Sequence, residues 1–563
     1  MLWQAWQQDY NAPPPVAPTA TETPAAPGQP TAATAATDVP TAATAPTAAA
    51  VPSASKAPGA PAPAADTAPV TPSLHVDVKT DLLRLSIDTH GATLAQADLL
   101  AYPQDPKDKT KPVRLLDDAN ATLFQAQSGL VSNTGPAPDH RAAFKAEKYS
   151  YELAPGADTL EVPLTWTDAA SGISVRKVYI LQRGSYLIET REEITNGGSA
   201  PWTGNEYRQL LRVPPIIAGG GFGFNNPEKV AFAGAAWYSP QDKFEKLPFD
   251  KFKDKPLKRD FAGGWGAMLQ HYFFAAWIPP AAETDTYSTQ VLEAGSPRYL
   301  IRAFSPAVTV APGQTQTLAA HLYVGPTLES QLAAIEKAGI AQKLDLTADY
   351  GTLSFIAEPF HWLLVQLHSF VGNWGVAIIL LVLLIKLAMF KLTEAQFRSM
   401  AKMRKLAPRM EALKERYGDD RQKLSQAQME LYQKEKINPL GGCLPMLIQI
   451  PVFFALYYVL LESVELRQAP FFGWIQNLSA PDPYFILPIL NAAIMGASTW
   501  LTPQSPGMDP MQARMMKVMP LMFAVLFLFF PAGLVLYYTV NGGLSLLQQW
   551  IINRRMELAD KAR

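Results

Sequence analysis

The sequence predicts a chain of two parts, an antiparallel β-sandwich followed by an α-helical polytopic membrane domain that carries a cytoplasmic helical hairpin. Three observations carry this. First, from residue 74 onward apolar and polar residues alternate with period two, as in His75-Val-Asp-Val-Lys and Leu83-Arg-Leu-Ser-Ile-Asp, which is the pattern of half-buried strands. Second, nearly all the long apolar runs lie in the last third of the chain, from Val371 onward. Third, a polar stretch rich in Lys and Arg separates the first two of those runs. The formal net charge of -1 over 563 residues therefore averages two unlike halves. Cys443 is the only cysteine, which excludes an intramolecular disulfide and a cysteine metal cluster.

Taken in order, residues 1–10 are too short and too polar for a span or a signal peptide. Trp3 and Trp6 beside Leu2 resemble the outer end of a span, so the stretch is expected to be the remnant of an N-terminal membrane anchor. Residues 11–72 are built almost wholly from Ala, Pro and Thr and cannot bury a core, so they are expected to be a disordered linker. Residues 73–345 form the sandwich, with Gln182-Arg-Gly184-Ser as a turn between strands and a closing helix from Leu328 to about Leu344. The Gly219–Gly223 run lacks a following helix and a Lys-Ser/Thr pair, so it reads as a loop and not a phosphate site. The histidines His75, His90, His140, His271 and His321 show no metal-binding spacing, and no metal is expected.

Residues 352–370 have apolar positions at helical spacing, which suits an amphipathic helix on the membrane surface. A span is expected over 371–391, the cytoplasmic hairpin over 392–443 and a second span over 444–461. There follow a periplasmic loop (462–483), a span (484–501), a cytoplasmic loop (502–514), spans over 515–530 and 532–552, and a cytoplasmic tail (553–563). Arg and Lys crowd the hairpin and mark the tail, while the 462–483 loop has Arg467 alone, so the large β domain is placed outside. Outside an inner membrane means the periplasm.

Lys386 sits inside the first apolar run, roughly 7 Å from its cytoplasmic end at a 1.5 Å rise per residue. Gln449, Ser545 and Gln548 fall near the same depth, and Asn541 and Asn491 lie deeper. Charge in a span is costly, and such groups face one another or a hydrated cavity. On Lys386 alone, snorkelling of its ammonium to the headgroups explains as much. The coincident polar residues favour a hydrated pocket open to the cytoplasm. Aromatic Phe453, Tyr537 and Tyr538 stand beside this level, and packing is their commoner role. No nucleotide or kinase-type motif appears, so neither a cofactor nor catalysis is expected. The weakly basic tail gives no argument for nucleic acid.

Several stretches resemble the YidC membrane protein insertase family. They include Lys436-Ile-Asn-Pro-Leu-Gly-Gly-Cys443, Gln449-Ile-Pro-Val-Phe-Phe, Glu465-Leu-Arg-Gln-Ala-Pro470, Gly372-Asn-Trp-Gly, Asp509-Pro-Met-Gln512 and Phe530-Pro-Ala-Gly-Leu-Val-Leu-Tyr-Tyr538. Gly263-Gly-Trp-Gly-Ala-Met-Leu-Gln-His271 and Leu322-Tyr-Val-Gly-Pro326 are similar to the periplasmic domain of its Gram-negative members. The resemblance implies a β-supersandwich in the periplasm and an inner-membrane insertase and chaperone, not an enzyme. It further implies action alone or beside the Sec translocon, on nascent inner-membrane proteins, with lipid, ribosome and signal-recognition machinery as further partners. A substrate-binding groove would comprise Lys386, Gln449, Asn541, Ser545 and Gln548, with Phe453, Tyr537 and Tyr538 as a surface for substrate sliding. Family members usually have arginine where Lys386 stands, so this chain keeps the charge without the bidentate fork. The residues alone also leave open a solute or anion transporter using Lys386 as its binding charge, and an enzymatic β domain acting on periplasmic sugars.

Overall fold

The computed structural model describes residues 38–40, 74–216, 231–294, 296–348, 350–396, 406–418, 420–434, 444–501 and 510–561. The expected anchor remnant, nearly all of the expected linker and the Gly219–Gly223 loop lie outside the described residues.

The alternating stretches become strands, and the buried positions are the apolar ones. His75–Lys79 alternates exposed and buried residues, with Val76 and Val78 inward. Two sheets result. An eleven-stranded sheet runs Lys258–Ala262, Thr284–Ala294, Ser296–Phe304, Trp202–Arg212, Phe124–Ser132, Thr93–Asp105, Leu83–Asp88, His75–Lys79, Ser150–Glu152, with two further strands paired at its side. A nine-stranded sheet runs Lys243–Pro248, Ala233–Ser239, Trp265–Gln270, Phe273–Ile278, Thr315–Pro326, Leu187–Asn196, Ile173–Gln182, Thr159–Asp168, Lys145–Ala146. The pairings are antiparallel apart from His75–Lys79 with Ser150–Glu152. Side chains of both sheets, among them Leu85, Leu94, Phe274, Trp277 and Leu322, meet in one core. Gly184, at φ 71°, makes the turn after Gln182, a backbone region that favours glycine.

This interior is not purely apolar. Arg208 is buried between Glu206 (2.6 Å), Glu283 (2.9 Å) and Asp285 (3.3 Å). Lys177 is buried 3.5 Å from Glu192 and donates to the carbonyls of Gly91 and Ser128. Buried charge is tolerated when it is paired and hydrogen-bonded in this way.

The closing helix, α1 (Glu329–Lys337), is shorter than expected and is followed by a 3-10 turn at Leu344–Thr347. Gly339, at φ 73°, follows the last turn of α1, a common way for a helix to end. Then come α2 (Ser354–Val371), α3 (Trp374–Ala388), α4 (Ala407–Tyr417), α5 (Arg421–Lys434), α6 (Leu444–Glu462), α7 (Ile486–Leu501), α8 (Pro510–Phe527) and α9 (Ala532–Lys561). Helices α4 and α5 pack as the two arms of the expected hairpin. Gly372, at φ 65°, ends α2, and Asn373 caps α3 by accepting from the Val376 amide at 3.0 Å. The same Asn373 donates to the Phe471 carbonyl at 2.8 Å, which ties this corner to the loop after α6.

Among the described residues no single helix is both long and apolar enough to cross a bilayer. Trp374–Ala388 and Phe390–Gln396 pass jointly, with a bend of 62° between them, where the sequence suggests one run over 371–391. The other apolar stretches, Gln449–Glu462, Ile486–Thr499 and Val518–Phe527, are shorter than the roughly 20 residues a straight span needs. Helix α9 runs past the expected end of its span at 552 as far as Lys561. Met515, Val518, Leu521, Met522 and Val525 of α8 all expose their side chains. An apolar face of that extent is at home against lipid or another protein, not water.

The sandwich meets the helical part at the last turn of α6 and the loop after it. Val464 belongs to the sandwich core, Arg467 donates to the Pro103 carbonyl at 2.9 Å, and His271 donates to the Leu461 carbonyl at 3.1 Å.

Candidate functional site

Helices α3, α6 and α9 place sequence-predicted polar residues in two separate pairs, about two turns apart along α9. Helix α3 has Lys386 in its last turn, half-buried, and its Nζ donates to Ser545 Oγ of α9 at 2.7 Å. Ser545 in turn donates to the Asn541 carbonyl one turn earlier, at 2.8 Å. Both roles of the hydroxyl are thereby used, and the ammonium keeps two further N–H groups. In the second pair, Gln449 of α6 donates to Tyr537 Oη of α9 at 2.8 Å. All three helices therefore contribute, with α9 common to both pairs.

The placement differs from the sequence expectation in depth, because Tyr537 stands eight residues before Ser545 on α9, roughly 12 Å along the axis. Gln449 bonds Tyr537 and not Lys386. Tyr537 is 1 % exposed and packed in the helical core, which leaves no ring face for a sliding surface. Its neighbour Tyr538 packs edge-on against Phe453 at 5.3 Å, and both stay partly accessible. Asn541 enters through its main-chain carbonyl. Gln548 places its side-chain oxygen in the interior without a hydrogen-bond partner, a costly arrangement for a neutral amide. Asn491 is buried, and among the described residues its side-chain amide donates to the Met495 sulfur of its own helix, at 3.8 Å.

A second cluster was not legible in the sequence. His361, in the middle of α2, is almost wholly buried, and its Nδ1 lies 2.8 Å from Glu329 Oε2 of α1. Its Nε2 lies 3.7 Å from Glu465, in the loop after α6. Both contacts are ion pairs off the line of a good hydrogen bond. Tyr350 adds a 2.8 Å hydrogen bond to Glu329. Burial alone would lower the imidazole pKa; the two carboxylates reverse this and raise it to about 9. One protonated imidazole thus pins α1 at the end of the sandwich, α2 and the loop after α6. The available signal was a histidine within an otherwise apolar helix face. Its partners, 32 residues before and 104 after by their numbers (361 − 329; 465 − 361), gave no local pattern.

The chain is similar along its whole length to proteins of known role. The family model described as YidC periplasmic domain matches residues 75–363, and that described as 60Kd inner membrane protein matches residues 366–561. A membrane protein insertase YidC of Xanthomonas campestris pv. campestris (strain 8004) is 48% identical over 566 residues, covering 99% of this chain and 95% of that protein. One from Alkalilimnicola ehrlichii is 48% identical over 491 residues, covering 87% and 84%. Among solved structures, an active YidC insertase crystal structure with the first transmembrane domain resolved is 18% identical with a TM-score of 0.37, covering 86% and 93%. A galactose mutarotase related enzyme from Lactobacillus acidophilus is 12% identical with a TM-score of 0.32, covering 45% and 97%.

Proposed function

This chain belongs to the YidC family of membrane protein insertases, and from that membership we propose how its helices receive a substrate. The chain is an inner-membrane insertase with a periplasmic domain, acting on nascent membrane proteins and without a catalytic step. Our reading of the site is a polar groove walled by α3, α6 and α9, entered from the cytoplasm and lined by Lys386, Gln449, Asn541, Ser545 and Gln548. The observation that carries it is the Lys386–Ser545 hydrogen bond, which holds an ammonium among apolar helices with donors to spare.

A substrate's short polar tail, when acidic, is drawn to that ammonium. Its hydrophobic segment then moves along the accessible side of Phe453 and Tyr538 into lipid, while the tail passes outward. Each CH₂ that reaches hydrocarbon contributes about 0.8 kcal/mol, so a span of apolar residues supplies ample driving force without a nucleotide. The α4–α5 hairpin, whose basic residues support a cytoplasmic position, receives the substrate. Cooperation with the Sec translocon, the ribosome and the signal-recognition machinery fits this picture as an extension of it. The periplasmic sandwich serves as an accessory module locked to the helical domain through His361.

Groove access has a direct test. In a Cys443→Ser background, a Ser545→Cys thiol should react with a membrane-impermeant maleimide from the cytoplasmic side and not from the periplasmic side. No labelling from the cytoplasmic side would mean that the polar residues are packed and dry.

A further inference from the structure

We propose that the sandwich carries a carboxylate-binding pocket for an extended acidic peptide, and that its resident ligand is the chain's own Asp38-Val39-Pro40. These three residues are described in the structure although they lie within the Ala/Pro/Thr stretch. Three basic side chains hold them. The carboxylate of Asp38 faces His140 Nε2 at 3.2 Å and accepts from Arg141 Nη2. Its main-chain carbonyl accepts from Arg302 Nη2. Side chain and backbone are thus read separately, which distinguishes a peptide from a free anion.

The pocket is braced from below. Arg302 is buried, its Nε donates to Gln209 Oε1 at 2.8 Å, and its guanidinium lies 5.7 Å from the centre of the Tyr207 ring. The Tyr207 hydroxyl accepts from the His140 amide at 2.9 Å and meets His140 Nδ1 at 2.6 Å. If the hydroxyl proton goes to Nδ1, the neutral ring must carry its own proton on Nε2. If Nδ1 donates instead, a proton on Nε2 makes the ring a cation. In both cases Nε2–H points at Asp38, because an ionised carboxylate only accepts. The hydrogen bond from His140, against a smaller opposing effect of burial, keeps the Asp38 carboxyl well below the usual range. Val39 precedes a proline, which restricts it to extended backbone and preshapes the segment for docking. Asparagine in place of Asp38 would lose the charge.

The experiment uses the full-length protein in detergent and a fluorescent heptapeptide, Ala-Thr-Asp-Val-Pro-Thr-Ala, copied from residues 36–42. Anisotropy should show binding to the Asp38→Ala protein at least tenfold tighter than to the wild type, whose pocket is filled. Adding Arg141→Glu should abolish binding, and the exposed Arg141 side chain makes this variant safe for folding. In parallel, hydrogen exchange at the Asp38 and Val39 amides should be slowed in the wild type and at least tenfold faster in Arg141→Glu. Equal peptide binding to the wild type and Asp38→Ala, binding of the peptide with Asn for Asp as strongly as the original, or equal amide exchange in both proteins would overturn the proposal.

Discussion

Replacing Lys386 with glutamate is expected to lower insertion of substrates with short acidic tails by tenfold or more, while Lys386→Arg retains at least half of the wild-type yield. A carboxylate about 5 Å from the ammonium gains about 3 kcal/mol at an effective dielectric near 20, and reversing the sign turns attraction into repulsion. Water in the groove screens part of this, which is why a tenfold loss is the floor expected and not a hundredfold one. The packing consequences are small. Ser545 keeps its hydrogen bond to the Asn541 carbonyl when the ammonium is removed, so no buried donor is orphaned. Substrates with neutral tails serve as the internal control and should be affected far less. Protease protection of substrate inserted into proteoliposomes measures all of these. Equal insertion of acidic and neutral tails by Lys386→Glu would remove the charge from the account.

The second large effect concerns His361, whose protonation holds three parts of the molecule together. Its folded-state pKa, about 9, stands above the ordinary 6.5. The stabilisation is therefore fully present below pH 6.5 and is lost as pH rises through about 9. The difference corresponds to on the order of 3 kcal/mol. Glu329, Glu465 and Tyr350 are the titratable groups that face the ring. The melting temperature of the wild type should fall between pH 6.5 and 9 by several degrees more than that of His361→Gln. A glutamine cannot carry the charge, so its protein should be less stable at pH 6 and should converge on the wild type near pH 10. Parallel pH profiles for the two proteins would contradict the clamp.

Much of the fold was legible because the sandwich is a matter of period. Val76, Val78, Leu85 and Ile87 alternate with polar residues, and each is buried where alternation places it. Residue type is what misleads at Lys177 and Glu192: they keep the inward phase of Val175 and Ile194 and are buried, because each meets the other's opposite charge from the neighbouring strand. Arg208 is likewise buried and meets Asp285 of another strand. Strand sequence reports local pattern and not the identity of the residue across the sheet.

The candidate site was legible to the same depth. Rise per residue placed Lys386, Gln449 and Ser545 at one level, and Lys386 does reach Ser545. Depth itself was misjudged for Gln449: it meets Tyr537, eight residues before Ser545 on α9 and so roughly 12 Å from it along the axis, and Tyr537 proved to be core. The clamp on His361 was invisible, since it joins α1, α2 and the loop after α6 only once the domains are docked.

Site-specific photocrosslinking tests the central claim most directly. A photoreactive residue is placed at Gln449, in the proposed groove, or at Ile489, on an exposed apolar face of α7. Each protein then meets a ribosome-stalled membrane protein with a short acidic tail. The account predicts adducts to that tail from position 449, at several times the yield from 489, with the signal at 449 reduced in a Lys386→Glu background. Equal yields at the two positions, or none at 449, would contradict insertion through this groove.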